Sequence, residues 1–305
     1  MTLPTPMTLP TPPAMPSGMP HRAKIVLPDD RGGTTWAGLP LDRPRVMGII
    51  NVTPDSFSDG GAHADPAHAI AAGLAMAAAG ADIVDVGGES TRPGGATPID
   101  PAEEIRRILP VVRALAAAGI RVSIDTRNAA TMAAALDAGA AIVNDVSALA
   151  HDPAAAPLLA ARRTPVVLMH LRGTPRTMAA HASYTDIAAE VAAELAARVA
   201  AAIAAGIARD AICLDPGFGF AKRPEHSIEL LRRLPELAVL GRPILVGVSR
   251  KGFIGRLSGV AEPRDRLAGS LAGGLFALSR GAAILRVHNV FETVQALRVW
   301  QALTG

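Results

Sequence analysis

The sequence has 305 residues, of which 50% are hydrophobic and 19% are charged, so it excludes a globally disordered protein and can form one large domain or two ordinary ones. The formal net charge is only +3, the arginines are scattered and aromatic residues make up 3%, so we expect no nucleic-acid partner. The single cysteine, Cys213, excludes an internal disulfide. No apolar run reaches the roughly 18 residues that span a membrane. These features favour a cytoplasmic enzyme with no membrane partner.

Residues 1–20 differ in composition from the rest of the chain. The hexamer MTLPTP occurs at 1–6 and again at 7–12, and the first twenty residues contain seven prolines. Proline removes a backbone donor and interrupts helices and sheets. A secretory signal is not indicated, because the segment lacks a basic start and an apolar core. We therefore predict a disordered extension over residues 1–20 and one domain over residues 21–305.

From about residue 45, short apolar runs alternate with alanine-rich helical stretches, and the pair repeats eight times. Nearly continuous apolar runs are typical of parallel strands covered on both faces. The predicted strands are Val46–Val52, Ile83–Gly87, Arg121–Asp125, Ile142–Val146, Pro165–His170, Ala211–Asp215, Ile244–Val248 and Ala283–Val287. Helix starts are predicted where an acidic residue precedes proline, at Asp65-Pro66, Asp100-Pro101, Asp152-Pro153 and Glu262-Pro263.

Eight such units predict an α/β fold, a single-domain (β/α)8 TIM barrel. The alternative is a doubly wound open sheet. The count of eight favours the barrel, and so does the absence of a glycine-rich dinucleotide fingerprint after the first predicted strand.

Every predicted strand ends in polar or charged residues. Because the active site of a TIM barrel lies at the carboxyl ends of its strands, a ligand site is expected there. The residues at these ends are Asn51, Asp85, Glu89, Asp125, Asn144, Asp145, His170, Asp215, Ser249, Arg250, Lys251, Arg286 and His288. Carboxylates, an amide and an ammonium from four strands suit a flat heterocycle with N–H donors and ring acceptors. His170 either contacts a ligand or makes a structural hydrogen bond.

A second group of strand-end residues is cationic and hydroxylic. It contains Ser90-Thr91-Arg92, Arg286 and His288, with Asn51 nearby, and such groups commonly hold a phosphate or diphosphate. No GxxxxGK[ST] string is present, which argues against a P-loop nucleotide site. Oxygens of Asn51 and Asp55 could hold Mg²⁺. The long polar loops that follow the first two strands are predicted to act as lids.

Five strings carry a resemblance to a known family. They are NVTPDSFSDGG at 51–61, DVGGESTRPG at 85–94, DPGFGF at 215–220, SRKGFIG at 249–255 and RVH at 286–288. Together they resemble dihydropteroate synthase, in the order in which that family carries them, from about residue 45 to the C-terminus.

The resemblance implies a TIM-barrel transferase of folate biosynthesis. It would condense 6-hydroxymethyl-7,8-dihydropterin diphosphate with 4-aminobenzoate, giving 7,8-dihydropteroate and diphosphate, and sulfonamides would compete for the aminobenzoate pocket. It further implies Mg²⁺ as cofactor, with Asn51 as a metal-binding residue beside Asp55, and a homodimer formed by helices near the C-terminus.

The resemblance also implies roles for individual residues. Asp55, Arg92, Asp125, Lys251, Arg286 and His288 would be catalytic. The pterin would contact Asp125, Asn144, Val146, Met169, Asp215, Phe220, Gly247 and Lys251. The diphosphate would contact Asn51, Thr91, Arg92, Arg286 and His288. The aminobenzoate pocket would be framed by Ser90, Thr91, Pro93, Phe220 and Lys251.

Two alternatives and one departure accompany this interpretation. A folate-dependent corrinoid methyltransferase would share the pterin-holding Asp and Asn residues but has no use for a diphosphate cluster. A non-catalytic pterin-binding paralogue would be a binding module, and loss of Lys251 or Arg286 would support it.

The family string usually continues RVHD, whereas here Asn289 follows His288, and an orienting carboxylate would be replaced by an amide.

Overall fold

The computed structural model describes residues 35–53, 66–89 and 99–304. The predicted extension over residues 1–20 lies outside them. A hairpin of two strands, each two residues long, precedes eight parallel strands. The strand bounds are β1 Thr35–Trp36, β2 Leu39–Pro40, β3 Arg45–Asn51, β4 Ile83–Gly87, β5 Val122–Asp125, β6 Ile142–Asp145, β7 Val166–Met169, β8 Ile212–Asp215, β9 Leu245–Val246 and β10 Ile284–Val287.

Helices alternate with the strands, and one additional helix lies between β9 and β10. Their bounds are α1 Pro66–Ala78, α2 Pro101–Ala117, α3 Ala129–Asp137, α4 Ala155–Arg162, α5 Ile187–Ala204, α6 Pro224–Arg232, α7 Gly252–Ser258, α8 Leu267–Ser279 and α9 Val290–Thr304. Short 3-10 segments lie at Met178–His181, Arg209–Ala211, Leu234–Leu240 and Pro263–Asp265. Within the described ranges, no helix combines the length and the apolar character needed to cross a lipid bilayer.

The eight parallel strands curl into a barrel. Their order is β8-β7-β6-β5-β4-β3-β10-β9, and every neighbouring pair is parallel. The first and last strands meet through a parallel bridge between Leu214 and Ile244, and Leu214 N donates to Pro243 O at 2.9 Å. The predicted (β/α)8 barrel is therefore confirmed, and the open-sheet alternative is wrong.

Two of the predicted helix starts differ from the observed ones. Asp100 caps α2 as expected, accepting from Ala102 N at 2.8 Å. Asp152 Oδ1 instead accepts from Ala154 N at 2.9 Å, and α4 begins only at Ala155. Pro263 opens a three-residue 3-10 turn rather than an α-helix. In both places the acidic side chain satisfies a free backbone donor, but the chain turns once more before a helix begins.

The hairpin β1–β2 closes the amino-terminal end of the barrel. Trp36 is 1% exposed, and its indole Nε1 donates to Ala211 O at 2.9 Å. It packs in one hydrophobic cluster with Met47 and Ile83 from the strand starts. Arg45 Nε donates to Pro40 O at 2.6 Å and fixes the hairpin to β3. The polar residues that end the strands, such as Asp125 and Asp215, lie at the opposite, carboxyl-terminal end.

Candidate active site

The strand ends bring the predicted polar residues to one face of the barrel. Asn51 ends β3, Asp125 ends β5 and Asp215 ends β8. Asp125 and Asn144 are neighbours in the parallel register of β5 and β6. Arg286 lies in β10, whose neighbours are β3 and β9. Because parallel strands all end at the same side, these side chains converge on the barrel mouth.

Arg286 connects the two sides of the barrel. Its Nε donates to Asp85 Oδ2 and its Nη2 donates to Asp125 Oδ2, both at 2.7 Å. Asn144 Nδ2 also donates to Asp85 Oδ2, at 3.0 Å. Burial raises the pKa of Asp125, and the nearby guanidinium of Arg286 opposes that shift. The same two carboxylates hold the pKa of Arg286 above its ordinary value despite burial.

Asp85 supports the candidate site, although the sequence analysis placed it at a strand end without giving it a role. Its side chain is fully buried, and its Oδ1 has no hydrogen-bond partner within the described ranges. It supports both Asn144 and Arg286, so it positions two of the predicted site residues. A charged residue inside an apolar strand, two positions before Gly-Gly, is the signal that could have identified it.

Asp215 and Lys251 lie on the other side of the mouth. Asp215 Oδ1 accepts from Gly217 N at 2.7 Å, and burial raises the pKa of Asp215 while the Lys251 ammonium opposes the shift. Burial lowers the pKa of Lys251 to about 8. Its Nζ lies 4.2 Å from the centre of the Phe220 ring, a cation–π contact that joins two predicted site residues.

Apolar side chains form a wall beside these polar groups. Val146, Met169 and Phe220 belong to one small hydrophobic cluster, together with Met178 and Ala221. Gly247 adds no side chain to the mouth. A Cβ at that position would lie 3.9 Å from the Arg286 Cβ and 4.0 Å from Asp215 Oδ2. The site therefore combines an apolar wall with carboxylates, an amide and two cations.

His288 and Asn289 make separate contacts. The His288 Nδ1 lies 3.0 Å from Ser249 Oγ, and the His288 backbone N–H donates to the same oxygen at 3.3 Å. Asn289 Oδ1 accepts from Arg250 Nη2 at 2.8 Å, and its Nδ2 lies 3.5 Å from Glu292 Oε1. Among the described contacts, the Ser249 hydroxyl therefore touches the histidine ring, and the side chain of residue 289 touches Arg250 and Glu292.

The sequence left two interpretations of His170, a ligand contact or a structural hydrogen bond, and the structure shows structural hydrogen bonds. Its Nε2 lies 3.0 Å from Glu194 Oε2, and its Nδ1 lies 2.7 Å from Lys222 Nζ. Both ring nitrogens are thus engaged by protein side chains, and the ring is 3% exposed. Lys222 and Glu194 were not singled out as site residues from sequence.

Several predicted site residues lie outside the described residues. They are Asp55, Ser90, Thr91, Arg92 and Pro93. Both predicted lid loops fall largely within the same undescribed ranges. Of the residues proposed to hold Mg²⁺, the structure places Asn51, half-buried at the end of β3. In the described ranges no three His, Cys, Asp or Glu side chains gather as a metal site.

Comparison with known proteins agrees with this geometry. The family described as "Pterin binding enzyme" matches residues 47–288. A dihydropteroate synthase of Neisseria meningitidis serogroup B is 49% identical over 269 residues, which cover 86% of this chain and 94% of that protein.

Two solved structures from Xanthomonas albilineans extend the likeness to the fold. Its dihydropteroate synthase with 4-aminobenzoic acid superposes with a TM-score of 0.83 at 50% identity, covering 88% of this chain and 97% of that one. The same protein in complex with 7,8-dihydropteroate superposes with a TM-score of 0.80 at 48% identity, covering 88% and 96%. The shared strings, the barrel and the buried polar mouth lead to one conclusion: the chain belongs to the dihydropteroate synthase family of pterin-binding enzymes.

Proposed function

We propose that this chain condenses 6-hydroxymethyl-7,8-dihydropterin diphosphate with 4-aminobenzoate, releasing 7,8-dihydropteroate and diphosphate. It is then a transferase of folate biosynthesis and a sulfonamide target. The observation that carries the proposal is a polar set that faces one mouth from four places in the barrel, formed by the buried Asp125, Asn144 and Asp215 and the half-buried Lys251. A soluble protein keeps so many buried polar groups together at a cost in stability, which a matching polar ligand offsets.

The pterin ring matches this set in shape and in hydrogen bonding. The carboxylates of Asp125 and Asp215 accept from ring and amino N–H groups, while Asn144 and Lys251 donate to ring acceptors. Val146, Met169 and Phe220 cover the faces of the heterocycle, and Gly247 leaves room for it. A ligand without those N–H groups would leave buried carboxylates unpaired, which is the basis of strong discrimination.

The diphosphate binds at the cationic side of the mouth, to Arg286, His288 and Asn51, together with Thr91 and Arg92. Arg286 is already held at its Nε by Asp85, so the rest of its guanidinium can turn toward the leaving group. When Nη2 transfers from Asp125 to a phosphate oxygen, the Asp125 carboxylate becomes available to the pterin. Binding at the two ends of this substrate is therefore coupled.

Charge stabilisation is the main catalytic task of these residues. The C–O bond to diphosphate breaks early, and negative charge develops on the departing oxygen while the pterin methylene becomes cationic. Arg92, Arg286 and His288 stabilise that negative charge, a class of effect worth several kcal/mol in dry sites. Asp125 and Asp215 face the cationic pterin. The aminobenzoate amine then attacks the pterin methylene, the new C–N bond forms, and the amine releases one proton to solvent, so no covalent enzyme intermediate is required.

The aminobenzoate is framed by Ser90, Thr91, Pro93, Phe220 and Lys251. The Lys251 ammonium, stacked on the Phe220 ring, borders both the pterin and the aminobenzoate subsites. Sulfonamides, which resemble the second substrate in shape and charge, compete in the same pocket.

The oxygen donors at the diphosphate end of the proposed site suit Mg²⁺. The Asn51 amide oxygen at the barrel mouth, the Asp55 carboxylate and the diphosphate oxygens are hard ligands, which Mg²⁺ prefers. Few protein ligands are needed, since Mg²⁺ commonly binds through one or two side chains plus substrate phosphates. When bound, the ion supplies positive charge to the diphosphate.

A homodimer and a cytoplasmic location complete the proposal. Helices α8 and α9 expose large apolar side chains, among them Phe276 at 37%, Phe291 at 65%, Val299 at 58% and Leu303 at 81%. Such a surface is typical of an interface. Sedimentation should give the mass of a dimer, and Phe291→Glu should shift it toward the monomer.

A direct assay tests the function. Purified protein is mixed with the dihydropterin diphosphate, 4-aminobenzoate and Mg²⁺, and both diphosphate release and dihydropteroate are followed. Equal amounts of the two products, suppressed by a sulfonamide, are expected. Pterin binding without turnover would point to a non-catalytic paralogue instead.

A further inference from the structure

Three side chains behind the pterin pocket form a continuous chain from the surface to the core. Glu194 on α5 has a side chain that is 41% exposed, and its Oε2 lies 3.0 Å from His170 Nε2. The other ring nitrogen, Nδ1, lies 2.7 Å from the Nζ of Lys222. Lys222 is 8% exposed and also donates to Phe220 O at 3.1 Å. The reaction outlined above assigns no role to any of the three.

The donors and acceptors define the protonation of this chain. An ammonium has only donors, so Lys222 donates to Nδ1, and the neutral ring carries its proton on Nε2 and donates it to Glu194. Burial, with help from the neighbouring cations, lowers the pKa of His170 to about 4, which keeps the ring neutral at pH 7. The Glu194 pKa falls to about 2, because His170 donates to it and Arg172 pairs with it.

Lys222 is a buried lysine whose ammonium interacts electrostatically with several charged groups, Asp215 among them. Burial lowers the pKa of Lys222 to about 7, while the negative charges of Asp215 and Glu194 favour its ammonium form and the cations Arg172 and Lys251 oppose it. Burial raises the pKa of Asp215, and the rise is opposed by the Gly217 N–H first, then by Lys251 and Arg286, and least by Lys222. A buried lysine is expensive to keep, so its placement between His170 and the Phe220 carbonyl calls for a functional reason.

The loop between β8 and α6 is fixed by the same contacts. Lys222 binds the carbonyl of Phe220, and Tyr184 Oη donates to the carbonyl of Ala221 at 3.0 Å. Gly217 packs so closely on β7 that an added Cβ would lie 2.1 Å from His170 O. The loop therefore holds Asp215 at one end and Phe220 near the other in fixed positions.

We propose that Lys222 is a positioning residue for the pterin, held in place by His170 and Glu194. It acts through Phe220, whose backbone carbonyl its ammonium holds, and so through the loop that joins Phe220 to Asp215. This inference rests on the proposed function, because it assumes that Asp215 and Phe220 contact that substrate.

The matched pair of variants is Lys222→Met and Tyr184→Phe. Both remove one hydrogen bond to a carbonyl of the same loop, but only the first also removes the bond to His170 Nδ1 and a buried positive charge. Calorimetry with 6-hydroxymethyl-7,8-dihydropterin gives the pterin affinity, and steady-state kinetics gives KM for each substrate and kcat. The parent is measured first, because a parent that binds no pterin refutes the proposed function and not this inference alone.

For Lys222→Met we expect pterin affinity to fall at least about tenfold, the equivalent of one charged hydrogen bond, while kcat at saturation stays within about threefold. Tyr184→Phe should change pterin affinity by less than about twofold. Pterin affinity equal to that of the parent in a folded Lys222→Met protein would overturn the inference, even if the melting temperature fell.

If Lys222→Met does not fold, Glu194→Gln tests the same series of hydrogen bonds from its exposed end. It weakens the acceptor of His170 and leaves every buried residue in place. A drop of about threefold in pterin affinity is expected, because the hydrogen bond from His170 to residue 194 no longer has a charged acceptor. Unchanged affinity in this variant would also overturn the inference.

Discussion

Arg286 donates from Nη2 to Asp125 Oδ2 at 2.7 Å, although the two residues are 161 positions apart in the chain. Arg286 is proposed to bind the diphosphate and Asp125 the pterin, so their contact joins the two halves of one substrate site. The side chains are only 20% and 10% exposed, which makes the pair sensitive to the loss of either member.

Arg286→Ala should lower kcat by at least about a hundredfold, because a donor aimed at developing negative charge is lost. It should also lower the free energy of unfolding by about 3 kcal/mol, since Asp85 and Asp125 would remain buried without their cation. Urea titration and the condensation assay measure the two effects.

The double variant Asp85→Asn, Arg286→Gln separates these two effects. It removes one buried charge of each sign, so it should regain part of the lost stability without regaining turnover. Near-parental turnover in either variant would exclude the assigned role of Arg286.

Asn289→Asp should change kcat by less than about twofold, because the side chain of residue 289 contacts Arg250, whereas the His288 ring contacts Ser249. Ser249→Ala is the matched control, since it removes the hydroxyl beside the His288 Nδ1. Loss of that hydrogen bond should lower kcat by about tenfold. A large gain of activity in Asn289→Asp would show that a carboxylate at 289 orients the histidine after all.

The strands and their polar ends were predictable because a barrel strand is an apolar run that stops at a ligand-facing residue. Asp125, Asn144 and Asp215 each obey that local pattern. The hairpin at Thr35–Pro40 was not predicted, because strands of two residues carry no periodicity. Its bond from Trp36 to Ala211 spans 175 positions and has no local signature.

The network of His170 was likewise beyond sequence reasoning. Its partners Lys222 and Glu194 lie 52 and 24 positions away, on a loop and on a helix face. Sequence shows that a histidine ends the strand, but only the packing shows that both of its ring nitrogens are occupied. The role of Asp85 was missed for the same reason, since its partner Arg286 is 201 positions away.

Trp36→Ala should lower the free energy of unfolding by about 3–5 kcal/mol, because a large side chain is removed from the closed end of the barrel. Trp36→Phe keeps most of the apolar surface but loses the indole donor to Ala211, so it should cost only about 1 kcal/mol. Both proteins should keep the parental KM values once folded, since the hairpin lies opposite the active site. Changed KM values would show that the two ends of the barrel are coupled.

The buried neutral His170 should make the fold sensitive to mild acid. Its pKa is about 4 in the folded protein, below the usual 6.5, so the unfolded chain binds a proton first as pH falls. Stability is therefore lost progressively from about pH 6.5 down to about pH 4 and levels off below that.

Between pH 7.5 and pH 5 this one group should remove about 2 kcal/mol of unfolding free energy. His170→Gln has no titrating ring, so urea titrations at the two pH values should show a smaller loss for this variant by about that amount. An equal loss in parent and variant would mean that His170 is not held neutral by its burial between Lys222 and Glu194.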